Sequence, residues 1–542
     1  MGRPIAGIGR VRMAAEQITY KNINPRTRSI IMVGLILAMM ASCFDGTIVG
    51  TIGTVIAQDL GGLDLYAWIT TAYLLTETIM IPVAGKLSDL YGRKPLFLIG
   101  IAIFVVGSIL AGQSTSMVMF IACRAIQGLG GGILIPVATA AVADLYAPKD
   151  RARMQGIMGA VFGIGNGVGP LLGGYIAEFA SWHWCFYINI PLAAAAVILT
   201  LKKFPTPIHD ECTKIDVKGI ALLSLLLLDV ILLLEFGGSE FGWVSVETLA
   251  MVVFALVLLV LFVTVERKAV NPILAPHLIR NRTVVLAAIM MLVFGIGMIG
   301  AMMYTNMFAI SVIGLTTLEA GEWSLAMVVG MMITSLSSGA LVERTGHKVW
   351  LVCGPILCFI GLWYLSGMVV DPEMAVTANA VKDAYMMRYL TGSFVLGLGL
   401  GCMMSVVMSA VQNSSRMSEM GMTTSAVNLM RSIGTTMGTA VFSMLINSRL
   451  SGELLEYVPS IYDYISHDTG VLEELALYPQ YIGEILTAFS NSVDFAFIAG
   501  GSILLVVAVL ALFFKVGRPE DDPEYEAVKQ AIENVEKKLN EE

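Results

Sequence analysis

GKLSDLYGRKP, residues 85–95, packs Lys86, Asp89, Arg93 and Lys94 into one short turn between two long apolar runs. Charges this dense are costly in hydrocarbon, so the stretch reads as a joint between two membrane helices rather than as part of either. Gly85 and Gly92 let the backbone turn tightly, and Asp89 can accept hydrogen bonds from a neighbouring helix end. Arg93 and Lys94 mark the positively charged, cytoplasmic side of a bilayer.

Outward from this joint the chain is apolar almost throughout. Of its 542 residues 56% are hydrophobic and 14% charged, and a mean hydropathy of +0.79 lies far outside the range of soluble globular proteins. An all-α polytopic membrane protein follows. Runs of about 20 apolar residues cross a bilayer. They are read at 29–57, 66–86, 95–113, 116–146, 152–178, 184–201, 217–236, 246–265, 283–313, 318–342, 347–368, 384–412, 421–448 and 491–516, fourteen spans in all. Arg3, Arg10, Arg12, Lys21, Arg26 and Arg28 precede the first run, which is long and lacks a small-residue cleavage site, so it reads as a first span and not a signal peptide.

Every second loop is basic. Lys86, Arg93 and Lys94 are followed by Lys149, Arg151 and Arg153; Lys202, Lys203 and Lys214; Arg267, Lys268, Arg280 and Arg282; Arg344 and Lys348; and Arg416. The intervening loops hold mainly acids, such as Asp59, Asp64, Glu178, Glu240, Glu247, Glu319 and Glu322. This alternation puts both termini in the cytoplasm. The net charge of −8 comes from acids in these loops and in the tail, with no basic patch for nucleic acid. Seven cysteines (43, 123, 185, 212, 353, 358, 402) lie mostly in apolar runs without metal-ligand spacing, so neither a disulfide nor a metal is expected.

The chain repeats itself. QGLGGG at 127–132 is echoed by LGLGLG at 396–401, and GKLSDLYGRK by GALVERTGHK at 339–348, which keeps Gly339, Leu341, Gly346 and Lys348 but has Glu343 in place of Asp89. The organisation expected is a cytoplasmic segment 1–28, a six-helix bundle 29–201, a linker 202–282 with an extra hairpin at 217–265, a second six-helix bundle 283–516, and an acidic cytoplasmic tail 517–542. Within the second bundle the outer segment 449–490, with Tyr457, Tyr462, Tyr464, Tyr478 and Tyr481, reads as an ordered or interfacial cap. Ala527–Leu539 in the tail has helical spacing and reads as a solvated helix.

Several residues sit where polar groups are expensive. Asp45 lies in FDGTIVG (44–50) of the first span; Tyr73 and Glu77 share a face of the second; Arg124 and Gln127 lie in the fourth. A mid-membrane carboxylate either holds a proton, pairs with a cationic substrate, or is a structural acid bonded to a neighbouring helix. Arg124 cannot shed its charge and needs an acid beside it, for which Asp45 and Glu77 are the natural partners. Protonation of that acid would then bias the two halves toward one orientation; a purely structural Arg124 is the alternative. Asp144 is expected to pair with the 86–94 or 149–153 basic cluster, and Asp229, inside LLLLDVILLLEF, to pair locally. MMYTNMF (302–308) offers Tyr304, Asn306 and Phe308 beside adaptable methionines, as a substrate surface or as ordinary filler.

The joint at Gly85, Asp89, Gly92, Arg93 and Lys94 resembles the loop between helices two and three of the major facilitator superfamily, matching each position of its pattern. RAIQGLGGG (124–132) is similar to that superfamily's fourth-helix motif. GIGNGVGPLLGGYI (163–176), with Asn166, resembles its antiporter helix through Gly165, Gly169, Pro170, Gly173 and Gly174. WHWCFYINIP (182–191) resembles a signature of the fourteen-helix drug:proton antiporters, with His183 where Arg is usual, and SAVNLMRSIGTTMG (425–438) their late motif, with Arg431 and Gly434. The resemblance implies a proton-coupled exporter of small hydrophobic, often cationic, compounds, monomeric in the plasma membrane, with Tyr73, Gln127, Asn166, Tyr304, Asn306 and Phe308 along the path. No nucleotide-binding loop, metal cluster or nucleophile with a base appears, so no enzyme activity or cofactor is expected and an ion gradient is the energy source. The rivals are a same-fold exporter of a metabolite, lipid or siderophore, and a non-transporting receptor or scaffold.

Overall fold

The computed structural model describes residues 23–62, 65–201, 204, 215–236, 242, 245–269, 271–275, 278–368, 378–416, 419–466, 469–472 and 477–516. The arginines and Lys21 before residue 23, Asp64, Lys202, Lys203, Cys212, Lys214, Glu240 and the tail with its Ala527–Leu539 stretch lie outside these residues.

Long apolar runs become helices because only a helix satisfies its own backbone in hydrocarbon. The first half holds α1 (Pro25–Leu60), α2 (Trp68–Tyr91), α3 (Arg93–Ala111), α4 (Met117–Leu145), α5 (Pro148–Phe179), the single turn α6 (Trp184–Tyr187) and α7 (Asn189–Thr200). A hairpin of α8 (Val217–Phe236) and α9 (Val246–Glu266) follows. The second half holds α10 (Arg282–Ser311), α11 (Thr317–Thr345), α12 (His347–Ser366), α13 (Ala378–Asn413), α14 (Met420–Tyr457) and α15 (Ile482–Leu512). Side chains set several starts: Ser116, Ser245 and Asn281 each accept from an amide of the following turn, and Thr316 with Glu319 forms a capping box. Gly92 (φ +90°) and Gly346 (φ +81°) end α2 and α11 in a backbone conformation that favours glycine.

Among the described residues twelve helices are long and apolar enough to cross a membrane. The charged α2 and the short α6–α7 pair supply the other two spans, making two pseudo-symmetric six-helix bundles plus a hairpin. α8 packs on α2 and α14, while α9 leaves Leu249, Val253, Leu256 and Val260 exposed, the surface a lipid-facing helix presents. The two spans that flank the outer segment run further than expected: α14 extends to Tyr457 and α15 starts at Ile482, with short turns at Tyr462–Tyr464, Thr469–Leu472 and Pro479–Tyr481 between them. Hydropathy loses the pattern at Glu453 and Glu456, yet Leu450, Leu454 and Val458 stay buried at helical spacing, and Glu453 accepts a hydrogen bond from Asn491 of α15 at 2.9 Å.

The halves meet along two seams, α5 against α11 and α2 against α14. Glycine makes both. A Cβ on Gly339 would lie 2.7 Å from the Ala152 carbonyl oxygen and 3.0 Å from the Gly156 Cα; a Cβ on Gly85 would meet the Gly421 carbonyl at 2.6 Å. α5 uses two glycine faces: Gly165, Gly169 and Gly173 pack on Cys43, Thr47 and Ile48 of α1, while Gly156, Gly159, Gly163 and Gly167 face α11. Cross-half hydrogen bonds cluster toward the end that carries the 85–95 turn. Arg151 donates to the Gln412 carbonyl (3.1 Å), Gln412 to the Thr139 carbonyl (2.9 Å), and Ser335 to the Gly156 carbonyl (2.8 Å).

Gly339→Ala is expected to lower the thermal unfolding temperature of the purified protein, since overpacking a tight contact costs about 1–3 kcal/mol. Gly174→Ala, where a Cβ meets nothing within 4 Å, is expected to leave it unchanged or slightly raised. Equal behaviour of the two variants would refute the seam.

Candidate functional site

Glycines place the first cluster. In α4 a Cβ on Gly130 would lie 2.7 Å from the Phe104 Cα of α3, and one on Gly107 of α3 would lie 2.7 Å from the Gln127 Cα. This approach brings Arg124 and Gln127 into the middle of the first half, beside Asp45 of α1. Arg124 Nη1 bonds Asp45 Oδ2 and donates to Gln127 Oε1 at 2.6 Å; Gln127 Nε2 donates to Asp45 Oδ1 (2.6 Å) and to Ser108 Oγ (2.8 Å). Asn189 Nδ2, at the start of α7, completes the cluster with a bond to Asp45 Oδ1 at 3.0 Å. The Arg124 guanidinium also lies 4.3 Å from the Tyr73 ring centroid, and the Tyr73 hydroxyl is 3.1 Å from Ser42 Oγ. Asp45 and Arg124 are 1% and 0% exposed, so this is an ion pair enclosed within one half, not a charge lining an open path.

Glu77 is placed differently. It is half-buried on α2, with no hydrogen bond and no ion pair within 4 Å among the described residues. The strongest charge facing it comes from the other half, Arg431 of α14. The remaining candidates lie on other helices, α5 and α10. Asn166 donates to the Phe162 carbonyl of its own helix (2.8 Å). Tyr304 is buried in the second half, its ring 6.0 Å from and nearly parallel to Phe442; Phe308 is buried too, and Asn306 is half-buried. The structure thus brings Asp45, Tyr73, Arg124 and Gln127 together, and leaves Tyr304 and Phe308 buried in the second half.

At the 85–95 turn, Asp89 accepts from the amides of Gly421 (2.9 Å) and Met422 (2.7 Å), the first turn of α14, and pairs with Arg93 at 2.7 Å. Arg93 also bonds Ser88 and reaches Asp144 of α4 at 3.0 Å. Lys94 is half-buried. In the second copy Glu343 stands near Lys149 and Asp150 at the start of α5, but it is exposed and forms no ion pair within 4 Å among the described residues. Among the described residues the local pairing expected of Asp229 does not form: it is 8% exposed, and its Oδ2 lacks a hydrogen-bond partner, because the hairpin helices around it are built mainly of leucine and valine. Glu235, not Asp229, ties α8 to α2, accepting from Thr71 at 3.0 Å.

Sequence reasoning missed the roles of Ser108 and Asn189. Asn189 lies inside the quoted 182–191 motif, where an asparagine among apolar residues is itself a signal; Ser108 carries none, for serine is common in membrane helices.

A family model described as Major Facilitator Superfamily matches residues 35–439, and the chain belongs to that superfamily. It is a transporter and not an enzyme, a multi-pass membrane protein. Among its relatives are the multidrug transporter protein MdtP of Bacillus subtilis, 34% identical over 94% of this chain and 97% of that protein, and multidrug resistance protein 3 of the same organism, 30% identical over 90% and 95%. The solved proton:xylose symporter XylE has the same fold, with a TM-score of 0.61 at 12% identity, covering 93% of this chain and all of that one.

Asp45→Asn leaves the Arg124 charge enclosed without its counter-charge. The expected loss of stability is about 3–5 kcal/mol, as for breaking one side of a buried pair, whereas Asn189→Ala costs about 1 kcal/mol. Thermal unfolding in detergent ranks the two, and the reverse order would sink the assignment of Asp45 as the counter-ion of Arg124.

Proposed function

We propose that this transporter is a proton-coupled antiporter that exports hydrophobic, cationic compounds, acting as a monomer in the plasma membrane with both termini in the cytoplasm. The observation that carries the reading is Glu77: a mid-membrane carboxylate at the meeting of the halves with no hydrogen bond or ion pair of its own among the described residues. Such a group can hold a proton or pair with a cation, but not both at once, and that exclusion is what antiport requires. The named multidrug relatives support a drug-like substrate. The basic loops support the orientation, with the end carrying the 85–95 turn in the cytoplasm.

In this reading the bonds from Asp89, Arg151, Gln412 and Ser335 hold the cytoplasmic end closed while the path faces outward. A proton arriving from outside neutralises Glu77 and releases the cation. A proton on Asp45 weakens its contact with Arg124 and biases the first half toward the other orientation. Loss of the protons to the cytoplasm restores the acceptor, with the two bundles rocking about the site between these events.

Adding tetraphenylphosphonium to the purified protein in weakly buffered detergent is expected to release protons, and Glu77→Gln to abolish that release. Cation binding with no proton release from the native protein would overturn antiport and favour a same-fold exporter of a neutral metabolite or lipid.

A further inference from the structure

Arg431 has no use in the cycle above, and its surroundings are unusual. It projects from α14 across the interface, its guanidinium 5.0 Å from the ring centroid of Phe162 on α5. It is 6% exposed, its Nε is buried without a hydrogen-bond partner, and no carboxylate among the described residues lies within 4 Å of it. Glu77 is the acid that acts on it electrostatically, from beyond ion-pair distance. Arg124, whose Nη2 also lacks a partner among the described residues, differs in having a counter-ion in contact, Asp45, with Gln127 bonded beside it. Arg431 has five N–H donors and cannot shed its charge, and nothing comparable surrounds it.

A second donor lies beside it. Asn428 is one helical turn earlier on the same face of α14, is 1% exposed, and has a buried Nδ2 with no partner among the described residues. Two adjacent donors, one of them cationic, define an acceptor of two oxygens, and a carboxylate fits them. Glu77 on the opposite half offers the complementary charge, and Phe162 an aromatic face beside Arg431.

The geometry points to a site for amphoteric substrates: the anionic group, a carboxylate or similar oxyanion, is held by Arg431 and Asn428 of the second half, while the cationic group is held by Glu77 of the first. This rests on the reading of Glu77 as the cation acceptor and adds the anion. A substrate with both charges joins the halves and satisfies each. A substrate that is only cationic sits beside an unrelieved Arg431 and binds less well.

The test uses rhodamine B, which carries a cationic ring system and a carboxylate, and rhodamine B ethyl ester, which carries the cation alone. Fluorescence anisotropy with the full chain in detergent is expected to show the acid bound at least tenfold more tightly than the ester. Arg431→Gln is expected to weaken the acid tenfold or more and leave the ester unchanged or improved, its ester binding showing that the variant is folded. Glu77→Gln is expected to weaken both dyes. If Arg431→Gln binds neither dye, Arg431→Lys decides: a retained preference for the acid supports the site, and a lost one overturns it. Equal affinity for acid and ester in the native protein, or equal weakening of both by Arg431→Gln, overturns the amphoteric site while leaving cation export standing. Binding of neither dye by the native protein overturns both.

Discussion

A bilayer offers no water to a charge, so every ionised group inside this protein has to be matched by the protein or by what it carries. The Asp45–Arg124 pair is the fullest case. Four helices, α1, α3, α4 and α7, contribute to it, and the close approach of α3 to α4 exists because glycines stand where side chains would keep them apart. Desolvating both ions costs several kcal/mol each, and the hydrogen bonds from Gln127 and Asn189 help to offset this. The pair therefore organises the first half around itself; any change in its charge is felt by all four helices.

Glycine sets the other constraint. The same helix, α5, shows one glycine face to α1 within its own half and a second to α11 across the interface, so intra-half and inter-half packing are written in one alternating pattern. Helices in lipid gain little from hiding apolar surface and associate by close van der Waals contact and hydrogen bonding, which small residues permit. This explains why the polar content of the seams is low.

Much of this was legible in the sequence. Hydropathy and loop charge set the fourteen spans, and the 85–95 turn, the glycine pattern of 163–176 and the isolated Asp45, Glu77 and Arg124 each stood out because their residue types are costly where they occur. The partners were harder to read. Nothing in a single chain says that Arg124 takes Asp45 and not Glu77, since both acids are within plausible reach of one helix or another; the choice is made by which helices the glycines draw together. The extent of α14 was hidden for a different reason: beyond the apolar run the helix continues with a buried stripe too narrow to raise mean hydropathy. Tyr304 and Phe308 read as substrate surface or as ordinary filler, and an aromatic partner from another helix, Phe442, places Tyr304 in the core.

The two seams are alike in their glycines and unlike in their ends. Where Asp89 caps the first turn of α14 and is itself held by Arg93, the matching Glu343 stands exposed near the start of α5 with no such tie among the described residues. Parting α2 from α14 means stripping a carboxylate of two amides and re-solvating a helix terminus, whereas α5 and α11 are joined by close contact and the neutral bond from Ser335 to the Gly156 carbonyl. The symmetry of the fold thus yields unequal resistances. One seam behaves as a clasp with a threshold and the other as a bearing that can roll, and the molecule has a preferred side on which to come undone.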